Sequence, residues 1–345
     1  MQKTAVVILN YNGAHFLRKF LPGVIKNSHD HEIVVADNGS TDESATIVKE
    51  LFPTVRYLQF DKNYGFCGGY NRALAQIDSD YYILLNSDVE VTENWIEPII
   101  KLFQHYPDVA AIQPKMLAYD DRHRFEYAGA AGGWIDALGY PFCRGRIFGD
   151  MEQDTGQYND TTEVFWASGA CLFIRAELYH RFGGLDNDFF AHMEEIDLCW
   201  RMKHAGYKIL YTDRSVIYHV GGGTLNKTNP RKTYYNFRNG LVLLIKNLPA
   251  REWWKIPVRI GLDWVASAKF LFTGKFGDAL MVLKAHLHVL VNFPKHIRKR
   301  KKIHYDKIIE TGKYNSVLLY DYHAAGRKTF GSLKINYTKA NFPFS

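Results

Sequence analysis

Over the first 115 residues of this 345-residue chain, short apolar runs alternate with longer stretches of helical character. The runs TAVVILN (4–10), EIVVADN (32–38), VRYLQF (55–60) and YYILLNSD (81–88) read as strands buried on both faces. Between them, residues 14–27, 41–52 (opened by Ser40 and Thr41), 68–78 and 93–105 read as helices. Alternating strand and helix predicts an α/β fold with a mostly parallel sheet and right-handed crossovers. Ligands of such sheets bind beyond the carboxyl ends of the strands. The polar clusters fall there: Asn10-Tyr11-Asn12, Asp37-Asn38-Gly39-Ser40 and Asn86-Ser87-Asp88.

From about 120 to 165 the pattern breaks into Gly, Asp and aromatic residues, which predicts an irregular region with short strands facing a substrate. FWASGACLFIRAELYHRFGG (165–184) then predicts a strand, a helix and a glycine turn, and YKILYTDRSVIYHVGGGT predicts two strands and a glycine-rich loop. From 230 the chain becomes helical, basic and aromatic. The expected division is a domain at 1–228, with halves at about 1–115 and 116–228, and an extension at 229–345.

Charge sharpens that division. The net charge of +7 combines −10 over residues 1–225 (20 Lys/Arg, 30 Asp/Glu) with +17 over 226–345 (23 Lys/Arg, 6 Asp/Glu). A basic tail on an acidic body suggests a cationic surface for an anionic partner. Its densest part, PKHIRKRKK (294–302), follows the amphipathic-looking ALMVLKAHLHVLVNF. Segments 255–273 and 276–293 carry broad apolar faces punctuated by lysines, too interrupted to span a bilayer. In-plane helices with a polybasic end fit an anionic membrane surface. The alternative is a helical appendage packed on the body. No nucleic-acid recognition motif accompanies the charge, so a nucleic acid is not expected. The four cysteines form no Cys-x-x-Cys pair and read as free thiols of a reducing compartment. No export signal is expected.

Several clusters carry candidate chemistry. NYGFCGGYNRAL (63–74) is not Gly-x-Gly-x-x-Gly, yet its glycines permit close backbone approach and the next helix offers amides to a phosphate. Asn86 and Asp88 share one strand face, a hard-oxygen pair for Mg²⁺ or Mn²⁺ on a diphosphate; an Asx turn is the alternative. Asp37 ends a strand where it can accept from a ribose or base, or simply hold a turn. His219 follows a strand and precedes three glycines, either as a metal ligand or as an ordinary satisfied histidine. FFAHMEEIDLCWRMKHAGYKI (189–209) predicts a helix from about Glu194 to Gly206, with Asp197 and Arg201 paired four residues apart. Glu194 shares their stripe. Glu195 points about 100° away and keeps the freer carboxylate, at a helix start whose amide field favours the ionised form. A base there can take a proton from a hydroxyl.

Six motifs in order, VVILNYNG, EIVVADNGSTDES, NYGFCGGYNRAL, YYILLNSDVEV, SGACLFIRAEL and GGLDNDFFAHMEEIDLCWRM, with the closing YYNFRNGLVLLIKN, resemble inverting family 2 glycosyltransferases of the GT-A fold. The likeness covers residues 3–240 and is nearest to the rhamnosyltransferase-like branch of bacterial surface polysaccharide synthesis. It implies a nucleotide pocket on Asn10, Tyr11, Asn12, Asp37, Asn38, Asn63, Gly65, Asn71 and Asn86. It implies a metal site on Asp88 with His219, where Asn86 replaces the first acid of the family's Asp-x-Asp. The family's Glu-Asp base motif falls on Glu194-Glu195, making Glu195 the base and Glu194 the substitute. Trp166 and Asp186 are candidate acceptor-side surfaces. The implied donor is a dTDP- or UDP-linked sugar such as rhamnose, the acceptor a glycan or lipid-linked hydroxyl, and the place the inner face of the cytoplasmic membrane. Two rivals remain, a nucleotidyltransferase and a non-catalytic sugar-nucleotide-binding scaffold.

Overall fold

The computed structural model describes residues 2–28, 30–221, 230–303, 305–335 and 342. Strands β1 (Thr4–Asn10), β2 (Glu32–Asp37), β3 (Arg56–Gln59) and β4 (Tyr81–Asn86) alternate with helices α1 (Ala14–Asn27), α2 (Ser44–Leu51) and α3 (Gly65–Leu74). All four strands pair in parallel. Side chains alternate across the sheet, so Val6 and Ile8 enter one core while Ala5 and Val7 enter the other. That double burial is why β1, β2 and β4 are so apolar; β3, at the sheet edge, is only half-buried where burial on both faces was expected, and it leaves Arg56 and Gln59 exposed.

The chain continues through β5 (Val89–Val91), α4 (Glu97–His105) and β6 (Val109–Ala118). A small second sheet follows, from β7 (Gly133–Ile135), β8 (Pro141–Cys143), β9 (Arg146–Ile147) and β10 (Asp150–Met151). Then come β11 (Thr161–Val164), β12 (Cys171–Arg175), α5 (Ala176–Arg181), α6 (Glu194–His204) and β13 (Lys208–His219). The main sheet has nine strands in the order β11-β13-β6-β12-β4-β1-β2-β3, with β5 beside β13. Strand β12 runs antiparallel between β4 and β6, so the sheet is mixed but mostly parallel.

Local chemistry moves some boundaries. Helix α2 starts at Ser44 and not at 41, because Asp42 Oδ1 accepts the Ser44 N–H (3.0 Å) in a preceding turn. Helix α3 starts at Gly65, ahead of the expected 68, where Asn63 Oδ1 accepts the Gly65 N–H (2.8 Å). Helix α4 starts at Glu97 because Asn94 sits in the left-handed region (φ 54°). Residues 208–219 form one strand, where two were expected. Its register against β6 skips from Thr212–Pro114 to Val216–Lys115, so 213–215 bulge out beside a proline that has no N–H to donate.

The C-terminal part contains α7 (Pro230–Asn247), α8 (Lys255–Phe272), α9 (Phe276–Val291), α10 (Phe293–Arg300) and α11 (Leu318–His323). Helix α7 packs on α6 and on α9, so its contacts cross the division expected at 228. No described helix is long and apolar enough to cross a membrane. All four cysteines are buried and unpaired. The glycine loop after β13 lies, beyond Gly221, outside the described residues.

Candidate active site

One cavity of about 1690 Å³ opens at the carboxyl ends of β1, β2 and β4. A pocket for one drug-sized ligand measures roughly 300–1,000 Å³, so this cavity has room for two substrates. Of the residues expected at a nucleotide, Tyr11, Asn12, Asn38, Asn63, Gly65 and Asn86 line it. Asp88, His219, Glu194, Glu195 and Trp166 line it as well. Asn10, Asp37, Asn71 and Asp186 do not.

Those four have structural occupations. The Asn10 amide donates to Ser40 Oγ (3.2 Å) behind the cavity wall. Asp37 accepts the Ser40 N–H (2.7 Å) and the Tyr57 hydroxyl (2.6 Å), which closes the turn after β2. Asn71 bolts the 185–187 loop to α3: its amide donates to Leu185 O (2.7 Å) and Asn187 (2.9 Å), and its oxygen accepts from Tyr179 (2.6 Å) and the Leu185 N–H (3.0 Å). Asp186 faces lysines in place of an acceptor. It takes Lys246 Nζ at 2.6 Å and also Lys299; burial opposes its charge, but these cations hold its carboxyl well below the ordinary range.

On the nucleotide side, Asn38 ties β2 to the start of α3, donating to Asn63 (3.1 Å) and Gly65 O (3.0 Å) and accepting the Tyr64 N–H (2.9 Å). Gly65 has φ +72°, and a Cβ there would lie 2.5 Å from the Phe190 ring. The Phe66 N–H donates to Phe190 O (2.9 Å), so this glycine lets the loop before α6 close onto α3.

Deeper in the wall, His219 Nε2 lies 3.2 Å from Asp88 Oδ1, with Asn86 Nδ2 at 3.5 Å. The other ring nitrogen faces Glu126 Oε2 at 3.1 Å. Burial disfavours a charged imidazole, but Glu126 and Asp88 outweigh it and lift His219 to about 10. Asp88 is held below its ordinary value because, against burial, His219 favours its ionised form. Two buried carboxylates thus demand a positive charge between them. Glu126 was not foreseen from the sequence; it sits in the irregular 120–165 region, 93 residues before its partner.

The glutamates open α6, as the pattern of 189–209 predicts. Their electrostatics differ from the expectation. The amides of Met193, Glu195 and Ile196 do favour a charged Glu195, but burial is the larger effect and raises it to about 7. Glu194 is buried and is raised further, by burial and then by repulsion from Glu195. The pair therefore holds one proton firmly and a second near neutrality.

The backbone before α6 is strained: Phe190 (φ 64°), His192 (φ 70°) and Met193 (φ 70°) are all left-handed. Helix α7 holds it there. The Asn239 amide donates to Phe189 O, Ala191 O and His192 O at 3.2, 2.8 and 2.7 Å. Arg238 donates to Asp188 O (2.8 Å) and Phe189 O (2.6 Å). Below, Lys246 Nζ bridges Asp186 (2.6 Å) and Asp197 (2.8 Å), and Asn247 donates to Asp197 (2.8 Å). The expected Asp197–Arg201 pair is present at 2.9 Å.

A mixed α/β sheet with helices on both faces, a C-terminal helical region and a two-substrate cavity at the strand ends is the GT-A architecture. The chain belongs to the family Glycosyl transferase family 2, an inverting glycosyltransferase family, whose profile matches residues 5–183, just over half of its length. An N-acetylglucosaminyl-diphospho-decaprenol L-rhamnosyltransferase of Mycobacterium tuberculosis is 24% identical over 74% of this chain and 87% of its own. The rhamnosyltransferase WbbL of Escherichia coli is 22% identical over 60% of this chain and 79% of its own. Among solved structures, GalNAc-T7 with UDP, GalNAc and Mn²⁺ superposes with a TM-score of 0.56 at 15% identity, over 71% of this chain and 48% of that one. S. aureus TarS 1–349 with UDP-GlcNAc gives 0.54 at 15% identity, over 82% and 79%. These solved neighbours speak to the fold.

Proposed function

We propose that this glycosyltransferase moves a sugar, with rhamnose first among candidates, from a dTDP- or UDP-linked donor to a hydroxyl of a lipid-linked glycan, in bacterial surface polysaccharide synthesis. The observation that carries the reading is one cavity wall bearing both the Glu194–Glu195 pair and the Asp88–His219 pair. The two relatives named rhamnosyltransferases support rhamnose as the sugar, and the name of the Mycobacterium tuberculosis relative supports a lipid-diphosphate acceptor.

Glu195 is the base. A carboxyl that ionises near pH 7 is matched to accepting a hydroxyl proton at neutral pH. The acceptor oxygen attacks the anomeric carbon from the face opposite the leaving group. The new C–O bond forms as the bond to the diphosphate oxygen breaks, the nucleoside diphosphate leaves with the electron pair, and the proton passes to Glu195. One displacement inverts the configuration. Glu194 keeps its proton and presents a neutral neighbour, so the charge on Glu195 has no like charge beside it.

Asp88 and His219 fit a divalent cation, since two carboxylates already demand positive charge there and a carboxylate with an imidazole suits Mn²⁺ as well as Mg²⁺. Glu126 would orient the imidazole from behind. Such an ion supplies charge neutralisation for the departing diphosphate. Tyr11, Asn12, Asn38 and Asn63 form the nucleotide side, and Trp166 the acceptor side.

The membrane contact rests on α8 and α9. The basic run at 294–302 is partly spent inside the protein, since Lys295 and Lys299 pair with Asp188 and Asp186. Arg298, Lys301 and Lys302 stay exposed. Helices α8 and α9 expose Trp264, Val265, Leu271, Phe272, Phe276, Leu290 and Val291, an apolar face suited to lying in the inner leaflet of the cytoplasmic membrane.

Nucleoside diphosphate release is to be measured across UDP-, dTDP- and GDP-sugars with Mn²⁺ or Mg²⁺, for wild type and Glu195→Gln. Metal-dependent release with one donor, lost in Glu195→Gln while donor still binds, is the expected result. Full activity in Glu195→Gln would overturn the assignment of the base, and no turnover of any donor would overturn the reading.

A further inference from the structure

The cavity does not end at the glutamates. It runs on to α8, where Leu262, Val265, Ala266, Lys269 and Phe270 line it, and to the α8–α9 turn at Thr273 and Lys275. Helix α8 is inverted relative to a helix packed in water. Arg259, Asp263 and Ser267, spaced four apart, form its buried stripe, and the first two line the cavity. Val265 and Phe272 point out at 67% and 92% exposure. The cavity mouth therefore brings buried polar groups of α8 next to an outward apolar face.

Cations gather at that mouth. Lys232 in the first turn of α7, Lys269 in the last turn of α8 and Lys275 on the turn all line the cavity. Among the described residues these three form no ion pair. The carboxylate on that stretch of α8, Asp263, is turned to His286 at 3.1 Å. Elsewhere in the C-terminal region Lys246, Lys255, Lys295 and Lys299 have acidic partners.

We infer that the mouth is a binding site for a phosphate group carried on a lipid. Lys269 and Lys275, helped by Lys232, hold the phosphate, and the lipid chain lies along the apolar face of α8 beside Val265 and Phe272. This rests on the reading that the acceptor is lipid-linked, and it names the acceptor's diphosphate as the phosphate held. Ammonium groups bind phosphate as strong charge-assisted donors. The site would fix the anionic, lipid-bearing end of the acceptor at the mouth while its sugar hydroxyl reaches inward to Glu195.

The test is direct binding, without donor, of farnesyl diphosphate in a neutral detergent. It would be read by tryptophan fluorescence, since Trp264 lies on α8, with farnesol and inorganic diphosphate as comparators. Wild type is expected to bind farnesyl diphosphate far better than either comparator, and Lys269→Glu/Lys275→Glu to weaken it about tenfold or more. An Arg298→Glu/Lys302→Glu variant, of the same charge change away from the cavity, should bind like wild type. Thermal unfolding checks that each variant folds. Equal binding of inorganic diphosphate would assign the cations to the donor and overturn the inference. Unchanged farnesyl diphosphate binding with lost flotation on phosphatidylglycerol vesicles would assign them to bulk phospholipid and also overturn it. Because no donor is present, these results stand apart from those for the glycosyltransferase reading, which fails only if wild type releases no nucleoside diphosphate.

Discussion

Removing the base while keeping its shape tests the site most directly. Glu195→Gln leaves the packing of α6 unchanged and deletes the group that ionises near pH 7. General-base catalysis contributes about 10²–10⁴-fold, or roughly 3–5 kcal/mol of barrier at about 1.4 kcal/mol per tenfold, so kcat should fall by that factor with donor affinity retained. In wild type the ionised fraction is about 0.5 at pH 7, about 0.1 at pH 6 and about 0.01 at pH 5, so kcat/KM should climb nearly tenfold per unit below pH 7 and level off above about 8. Glu194→Gln replaces the partner that keeps its proton, so its acidic limb should stay near pH 7. The pair also leaves a mark on stability. Both carboxyls are raised above their ordinary 4.5 in the folded chain, so the contribution of their protonation is complete below 4.5 and is lost as pH rises, for Glu195 through about 7. Glu195→Gln should flatten that loss. A rate flat from pH 5 to 8, or an inactive Glu194→Gln beside an active Glu195→Gln, would refute the reasoning.

Three further perturbations test the frame around the pair. Asn239→Ala removes three bonds to the left-handed loop; a shift of about 1 Å in Glu195 costs about 10²-fold, so turnover should fall by that order while donor affinity changes little, and an unaltered kcat would sink the idea. Glu126→Ala leaves His219 without its orienting carboxylate, so Mn²⁺ binding followed by electron paramagnetic resonance should weaken about 10–100-fold. No change in that affinity would remove Glu126 from the metal site. Lys246→Met strands Asp186 and Asp197, both at least nine-tenths buried; urea unfolding should show a loss of about 3–5 kcal/mol, and a loss below about 1 kcal/mol would show that Lys299 and Arg201 suffice.

What the sequence revealed divides along a physical line. Strands β1, β2 and β4 were legible because doubly buried strands leave nearly unbroken apolar runs, and the strand ends then locate Asn12, Asn38 and Asp88 on the cavity. Glu194 and Glu195 were legible from the helix start. The direction of their shift was not, because the helix field can be read from a pattern whereas the larger effect, burial, comes from packing by α3, α7 and the 165–170 segment. Asn71 and Asp186 mimic ligand residues: an amide or a carboxylate is equally fit to hold a loop or a substrate. Glu126, Arg238 and Asn239 stayed hidden for the opposite reason, since polar residues in an irregular stretch or on a helix give no periodic sign that they are buried.

The charge split has the same origin. An acidic body and a basic tail suggest a cationic surface for an anionic partner, yet three of the tail's cations are used within the chain, where Asp186, Asp188 and Asp197 meet Lys246, Lys295 and Lys299. Those carboxylates flank the strained turn on one side and α6 on the other, so the tail braces the helix that carries the glutamates. Three cations at the cavity have a different setting. Lys232, Lys269 and Lys275 stand where the cavity meets the apolar face of α8, so an acceptor with a charged head and an oily tail satisfies both surfaces at once.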